Sequence, residues 1–194
     1  MKIGKYGRLG NQIFQYAAMV SIAKYLGVKY ALPTSSVEPT MGAYFNDITK
    51  KYELGHFEMF ECFNIKCHLI NDHRLKMSIE SNYSENSFCY HDNFWDIPNN
   101  TNIHGYFQSE QYFMNVRDEL LEQLTFKSEI IQKAKNFISQ TGENVSAFIH
   151  IRRGDNVAHP DVHPLSCMSY ISKATTELKA QFPEIKFFVL TDDL

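Results

Sequence analysis

The apolar residues of the N-terminal region change from the spacing of a strand to that of a helix and back again. Lys2–Tyr6 is strand-like, and from Asn11 the apolar positions recur at helical spacing as far as Leu26. Gly27 is a natural helix C-cap, and Val28–Leu32 is again strand-like. A strand, a glycine turn, a helix and a second strand predict a βαβ unit, which requires a right-handed crossover and a parallel sheet.

A second unit of the same kind is predicted towards the C-terminus. Val145–Ile151 is a largely apolar run, and Ile185–Leu190 is a strongly apolar one. Between them a helix is predicted to begin at Pro164 or Leu165 and to end near Phe182. The chain therefore has the pattern of an α/β protein.

The middle of the chain has no sustained period. Within Thr34–Thr101 only short strands are indicated, for example in Asn64–Ile70. Ile103–Phe107 is strand-like, and Ser109–Leu124 is predicted to be a helix with its first residue as N-cap. A further helix is predicted from Glu129 to about Gln140.

Composition narrows the class of protein. The chain has 194 residues, of which 44% are hydrophobic and 21% are charged, as is ordinary for a soluble globular protein. The formal net charge of -3 gives no reason to expect nucleic acid as a partner. No apolar run is long enough to span a bilayer, which leaves only peripheral membrane association open. Since no signal peptide follows Met1, we expect a cytoplasmic protein.

The cysteines are expected to be reduced thiols, because their spacing is not that of a CxxC metal clip. Cys62, Cys67, His68 and His73 can be drawn as a zinc site, but their spacing matches no common ligand pattern. We therefore predict that the protein has no metal site.

The most informative cluster is His150–Asp155, which follows the apolar run that ends at Ile151. Arg152 and Arg153 each present a planar fork of donors that matches phosphate oxygens two at a time. Ligands of open α/β sheets bind beyond the carboxyl ends of strands, where this cluster is expected to lie. The cluster indicates a phosphorylated ligand held by arginine. The alternative is a surface ion pair between Arg153 and Asp155.

The glycine turn before the first helix has related properties. Gly7 and Gly10 allow a ligand to approach the backbone, and Asn11 can cap a helix whose N–H groups face that ligand. Arg8 adds a mobile cation. The turn lacks the three glycines of the dinucleotide fingerprint, and a tight turn without a ligand is the alternative.

Acidic and imidazole groups follow the other predicted strands and loops. Asp192 and Asp193 can accept from a ribose hydroxyl or a purine edge, or can cap a following helix. His159, Asp161 and His163 lie in the loop after the arginines and are candidates for a general base. Each of the three is equally consistent with a solvated loop side chain.

Taken together, these motifs resemble those of one enzyme family. Gly7–Ala17 resembles the N-terminal signature of the α-1,2-fucosyltransferases, glycosyltransferase family 11. His150–Asp155 resembles the HxRRxD motif that they share with α-1,6- and protein O-fucosyltransferases. Gly105–Phe113 and Phe187–Asp193 are similar to two further segments of the family, in the same order.

The resemblance implies a GT-B-like fold of two Rossmann-type βαβ halves, with GDP-fucose as donor, inversion at the anomeric carbon, and neither cofactor nor metal. It implies that Arg152 binds the β-phosphate and that Asn11 approaches the diphosphate or the fucose from the opposite half. To these catalytic candidates we add Asp161 as the base for the acceptor hydroxyl. The implied donor-binding residues are Arg8, Gly10, Asn11, His150, Arg152, Arg153, Asp155, Asp192 and Asp193.

We expect residues 1–140 to form the acceptor-side half and residues 141–194 to begin the GDP-fucose-binding half. Because Leu194 follows the acidic pair so closely, we expect this C-terminal half to be incomplete. The implied acceptor is a galactose-terminated glycan, to which the fucose is joined through an α-1,2 linkage. Two alternatives stay open, namely an inactive paralogue that only binds a GDP-sugar and a fucosyltransferase of different linkage or sugar.

Overall fold

The computed structural model describes residues 9–33, 44–46, 51–53, 58–142, 145–154, 157, 164–165 and 167–192. In this part of the chain the fold is mixed α/β, with two-stranded sheets formed by β1 and β4, β2 and β3, β5 and β6, and β7 and β8. The helices are α1 (Leu9–Leu26), α2 (Glu58–Cys62), α3 (Asp72–Ser78), α4 (Arg117–Gln123), α5 (Ser128–Thr141) and α6 (Met168–Gln181). The strands are β1 (Ala31–Pro33), β2 (Tyr44–Asn46), β3 (Lys51–Glu53), β4 (His68–Ile70), β5 (Ser81–Ser84), β6 (Thr101–His104), β7 (Ser146–Ile151) and β8 (Lys186–Thr191).

The chain divides into two compact units. The first comprises Met1–Tyr44 and Glu53–Ile130, and the second comprises Phe45–Tyr52 and Ile131–Leu194. This division falls within α5, as does the boundary expected after residue 140. The assignment of an acceptor half and a donor half to these units stays a prediction.

Helix α1 is the central element of the first unit. It ends at Leu26, and Gly27 follows with a φ of 67°, so the predicted helix and its glycine C-cap are confirmed. Residues from Tyr16 to Ala23 are buried, because neighbouring elements cover the helix on nearly all sides. The strand expected at 28–32 is β1, which pairs in parallel with β4. The strand predicted at Lys2–Tyr6 lies outside the described residues.

An aromatic cluster fills the core beside β5 and β6, which also pair in parallel. Phe94, Phe107 and Tyr112 are completely buried, and their ring centroids lie 4.8–5.7 Å apart. Tyr83 lies against this group, with its ring centroid 6.1 Å from that of Phe94. Full burial of such a side chain contributes about 1.5–3 kcal/mol, so the cluster accounts for a large share of the stability of this unit.

The continuous helix predicted for 109–124 is wrong. Two 3-10 turns, Glu110–Tyr112 and Met114–Val116, precede the short helix α4. Phe113 interrupts the helix with φ -146° and ψ 18°, while the neighbouring Tyr112 enters the aromatic cluster. Ser109 does act as an N-cap, since its hydroxyl accepts from the N–H of Gln111, but it caps a 3-10 turn.

The second unit contains the predicted C-terminal strands. Strands β7 and β8 pair in parallel with Ile151 opposite Thr191, and α6 connects them, which confirms this βαβ unit. Helix α5 is confirmed as well. However, α6 does not begin at Pro164 or Leu165. It begins at Met168, because Cys167 has an extended backbone with φ -76° and ψ 124°.

Large apolar side chains are exposed in the second unit. Phe148 on β7 and Val189 on β8 have exposed fractions of 55% and 57%. Ile185, just before β8, is buried. No helix in the described ranges has both the length and the apolar composition needed to cross a bilayer.

Candidate functional site

The carboxyl ends of β7 and β8 bring the arginine motif next to an aspartate. Because Ile151 pairs with Thr191, the residues that follow each strand are neighbours. Oδ1 of Asp192 accepts from the backbone N–H of Arg153 at 2.8 Å and from that of Gly154 at 3.1 Å. One carboxylate oxygen thus fixes the backbone at the tip of β7.

These bonds also act on the ionisation of the aspartate. The N–H of Arg153 lowers the pKa of the Asp192 carboxyl below its ordinary value, against a smaller opposing effect of desolvation. The N–H of Gly154 and the positive charge of Arg152 lower this pKa further. Asp192 is therefore an ionised group that organises the loop, which is a role that its position in the sequence did not reveal. Its contact with a nucleoside stays a prediction.

Gly154 is required by this arrangement. A Cβ atom at this position would lie 2.6 Å from Oδ2 and 3.1 Å from Cγ of Asp192. Any side chain would push the carboxylate away from the two N–H groups that it accepts from. The glycine in the motif is thus explained by close approach of the aspartate.

The arginine side chains lie at the exposed end of the strand pair. Arg152 and Arg153 are both exposed, and the carbonyl of Arg153 accepts from the N–H of Val157 at 2.9 Å, which closes a turn. His150 lies on β7 opposite Leu190 and is exposed. Two guanidinium groups beside a turn with a fixed backbone can bind an anion such as a diphosphate.

In the first unit, two of the motifs contact each other. Oδ1 of Asn11, at the start of α1, accepts from Nε2 of Gln108 at 2.6 Å. Gly10 precedes it, and a Cβ atom there would have no neighbour within 4 Å among the described residues. Gln12 is buried, and its Oε1 accepts from the N–H of Met59 at 3.5 Å. The N-terminal motif and the 105–113 segment therefore form one surface.

The turn that carries Gln108 is held by Glu85. Oε2 of Glu85 accepts from the N–H of Tyr106 at 2.7 Å and from that of Phe107 at 3.0 Å. Phe107 has a φ of 51°, which is unfavourable for a bulky residue, and hydrogen bonds and core packing together stabilise it. A Cβ at Gly105 would lie 2.5 Å from Cβ of Glu85, so this position must be glycine.

Glu85 was missed by the sequence reasoning, because it lies in the stretch without a period. Of the four residues before it only Tyr83 is a strand former, so the local sequence does not mark Glu85 as a site residue. Gln108 lies in the Gly105–Phe113 segment, but the sequence of that segment predicts no role for it. Several predicted site residues fall outside the described residues, so their positions stay predictions, namely Arg8, Asp155, His159, Asp161, His163 and Asp193.

The zinc alternative receives no support from the geometry. Neither Cys62 nor Cys67 is in a disulfide, and burial raises the pKa of Cys67. Among the described residues no three His, Cys, Asp or Glu side chains come together as a metal-binding group.

Comparison with protein families decides the relationship. The model of the family described as Glycosyl transferase family 11 matches residues 1–194. The chain belongs to this family. The resemblance inferred from the motifs is therefore confirmed.

Relatives within the family are distant in sequence. The chain is 25% identical over 197 residues to galactoside 2-alpha-L-fucosyltransferase Sec1 of Mus musculus, a match that covers 97% of this chain and 48% of that protein. It is 28% identical over 196 residues to alpha-1,2-colitosyltransferase of Escherichia coli, covering 97% of this chain and 67% of that protein. The chain thus spans about half the length of the mammalian relatives that it matches.

Among solved structures, the chain is similar to the crystal structure of POFUT1 in complex with GDP. The TM-score is 0.46 and the sequence identity 14%, with 98% of this chain and 78% of that chain covered.

Proposed function

We propose that the protein is a fucosyltransferase, which transfers fucose from GDP-fucose to a galactose hydroxyl of a glycan. The product has an α-1,2 linkage, formed with inversion at the anomeric carbon. The observation that carries the proposal is the loop of Arg152–Gly154, whose backbone N–H groups are held by Asp192 at the carboxyl ends of two parallel strands. Family membership and the names of the relatives support the choice of sugar and linkage.

The chemistry requires a cation where the donor breaks. The bond between the anomeric carbon and the β-phosphate oxygen breaks, and a bond from that carbon to the acceptor oxygen forms on the opposite face. Negative charge grows on the departing β-phosphate, and a guanidinium fixed in advance stabilises it without any reorganisation. We assign this role to Arg152, with Arg153 and His150 beside it. In this scheme the guanidiniums supply the positive charge, and no metal ion is needed.

The acceptor hydroxyl loses its proton during the attack, and we propose Asp161 as the base that takes it. Asn11 is assigned to the sugar or the diphosphate, and the 2.6 Å hydrogen bond from Gln108 orients its amide. In this proposal the first unit is the acceptor-side half and the second unit the donor half of a GT-B-like fold.

Calorimetric titration with GDP tests the donor site. We expect Arg152→Lys to weaken GDP binding by about tenfold or more, because Lys cannot make two parallel hydrogen bonds to a phosphate. The matched control is Arg117→Lys, since Arg117 is exposed on α4 and its ion pair with Asp118 is exposed as well. If the wild-type chain does not bind GDP, or both variants bind it equally well, the donor site is wrong.

Transfer is tested with labelled GDP-fucose and lactose, with the position of the new linkage determined on the product. We expect the rate to be the same with and without EDTA. A rate that depends on added Mg²⁺ or Mn²⁺ would contradict the assignment of the cationic role to arginine.

A second candidate function is transfer of colitose instead of fucose. The 28% identity to the colitosyltransferase of Escherichia coli favours it. Supplying both activated sugars in one reaction distinguishes the two candidates, because the sugar that is transferred faster identifies the donor.

A further inference from the structure

A cavity of about 220 Å³ opens at the carboxyl ends of β5 and β6 in the first unit. Ser84 pairs with His104 at the last position of the two strands, and the N–H of Glu85 donates to the carbonyl of His104 at 2.8 Å. The carboxyl ends of parallel strands are where α/β proteins bind ligands. The side chains that define the chemistry of this cavity are those of Ser84, Glu85, Asn86, Phe88, His104 and Tyr106.

One wall of this cavity is rigid. The backbone of Tyr106 is fixed by Oε2 of Glu85, and the next residue, Phe107, is anchored in the aromatic core. A Cβ at Gly105 would lie 2.5 Å from that of Glu85, so the glycine is what lets the loop approach the carboxylate this closely. Tyr106 is therefore held in place before any ligand arrives, which lowers the entropic cost of binding.

The aromatic lining is accessible to a ligand. Phe88 has an exposed fraction of 71%, and its ring centroid lies 5.3 Å from that of Tyr106. Both side chains line the cavity, so a ligand in it can contact the two rings. The two rings offer an apolar face to a flat, partly apolar ligand.

The polar lining excludes anions and favours hydroxyl groups. None of the described residues that line the cavity is Lys or Arg, whereas Glu85 contributes a carboxylate. A phosphate would therefore be repelled. In the described part of the chain, the Ser84 hydroxyl and the Asn86 amide have no side-chain hydrogen-bond partner, so both can exchange bonds with a ligand.

We propose that this cavity binds a sugar ring of the neutral acceptor glycan, a galactose residue in the simplest case. Phe88 and Tyr106 contact the apolar face of the ring, and Asn86 and Ser84 hydrogen-bond to its hydroxyls. The cavity is smaller than the roughly 300–1,000 Å³ of sites for drug-sized ligands, which suits a single ring. The identity of the sugar rests on the proposed function, while the cavity and its lining do not.

A larger cavity of about 360 Å³ in the same unit suits such a ligand less well. Its walls combine aliphatic side chains, such as Met19, Ile22 and Leu75, with the polar segment Asn99–Asn102. No described residue of this lining is a carboxylate, and no pair of aromatic rings in contact offers a face to a sugar ring. The smaller cavity is therefore the better sugar site.

The test is saturation-transfer NMR on the 194-residue chain with lactose and with methyl β-galactoside. We expect saturation of the galactose ring protons with the wild-type chain, and a loss of about fivefold or more in Phe88→Ala, in proportion to the aromatic contact removed. The matched control is Tyr170→Ala, because Tyr170 on α6 has an exposed fraction of 72% but does not line the cavity. Asn86→Leu is a second variant that fills the polar side of the cavity and should also abolish the signal.

GDP is titrated into the same samples, so that the two proposals fail separately. If saturation of the galactose ring protons is seen with the wild-type chain and falls in Phe88→Ala, the sugar site is supported even when GDP does not bind. No saturation with the wild-type chain, or equal saturation in Phe88→Ala and Tyr170→Ala, overturns the sugar site even if GDP binds. Circular dichroism of each variant is expected to match that of the wild type, since all three substituted side chains are exposed.

Discussion

The substitution Gly105→Ala should destabilise the first unit through one identifiable clash. The added Cβ would lie 2.5 Å from Cβ and 2.8 Å from Oε2 of Glu85, and 3.0 Å from Cζ of Phe107. The φ of 158° at Gly105 is a further obstacle, because side chains rarely adopt it. Neither neighbour can yield easily, since Phe107 is fully buried and Glu85 is bound to two N–H groups.

The cost can be worked out from these contacts. Overpacking of this kind costs about 1–3 kcal/mol. If Glu85 moves instead, it gives up hydrogen bonds to a charged acceptor, and each of these contributes about 1.5–3 kcal/mol. The two ranges meet at roughly 3 kcal/mol, which is the loss we expect, and it corresponds to a fall in the melting temperature on the order of 10 °C. The same substitution at Gly10 meets no atom of the described residues within 4 Å and should cost little.

Urea titration followed by tryptophan fluorescence measures this loss. Trp95 is the single tryptophan, and its ring centroid lies 5.1 Å from that of Phe94 in the aromatic cluster, so its emission reports on this unit. An unfolding free energy of Gly105→Ala within about 0.5 kcal/mol of the wild type would refute the reasoning. An equal loss in Gly10→Ala would refute it too, because the effect would then not come from the clash.

The remaining predictions concern ionisation. Gly154→Ala should raise the pKa of the Asp192 carboxyl towards its ordinary 3.8, and NMR titration of the carboxyl carbon would detect the change. In the wild type, the stabilisation by Asp192 should be present above pH 3.8 and be lost as the pH falls below that value. Burial raises the pKa of Tyr112 to about 12, so its stabilisation should be complete below pH 10 and be lost as the pH rises towards 12. Burial also raises the pKa values of Tyr16 and Tyr83, so the urea midpoints of Tyr112→Phe should fall less over this range than those of the wild type. A disulfide reagent should modify Cys167 before Cys67, and mass spectrometry would show the order. A hydrogen bond with Ser169 lowers the pKa of the Cys167 thiol, whereas burial raises that of Cys67.

Local patterns in the sequence predicted the elements that depend on local chemistry. The period of α1 and its glycine C-cap are confirmed, and so are the apolar runs that became β7 and β8. In each case the residues that decide whether the segment is a helix or a strand lie close together in the sequence. The helix predicted from Ser109 fails because a long-range preference wins, since Tyr112 is drawn into a core built from residues elsewhere in the chain.

The site shows the same contrast. The position of Arg152 and Arg153 at the end of a strand could be predicted from the apolar run before them. That Asn11 contacts Gln108 could not, because the two are 97 residues apart and no local pattern couples them. Glu85 could not be found either, since a carboxylate in a polar stretch has no distinguishing neighbours in the sequence.

The two units use one device to build their loops, and it explains why glycines occur in both motifs. Glu85 follows β5 and accepts from two successive N–H groups of the loop after β6, and Asp192 follows β8 and accepts from two N–H groups of the loop after β7. In both loops a glycine lies so close to the carboxylate that a Cβ would come within 3 Å of it. A carboxylate at the end of one parallel strand thus fixes the loop of its neighbour, and Gly105 and Gly154 are glycine for the same steric reason. The two loops fixed in this way carry Tyr106 and Arg153, so the device positions the residues proposed to bind the acceptor and the donor.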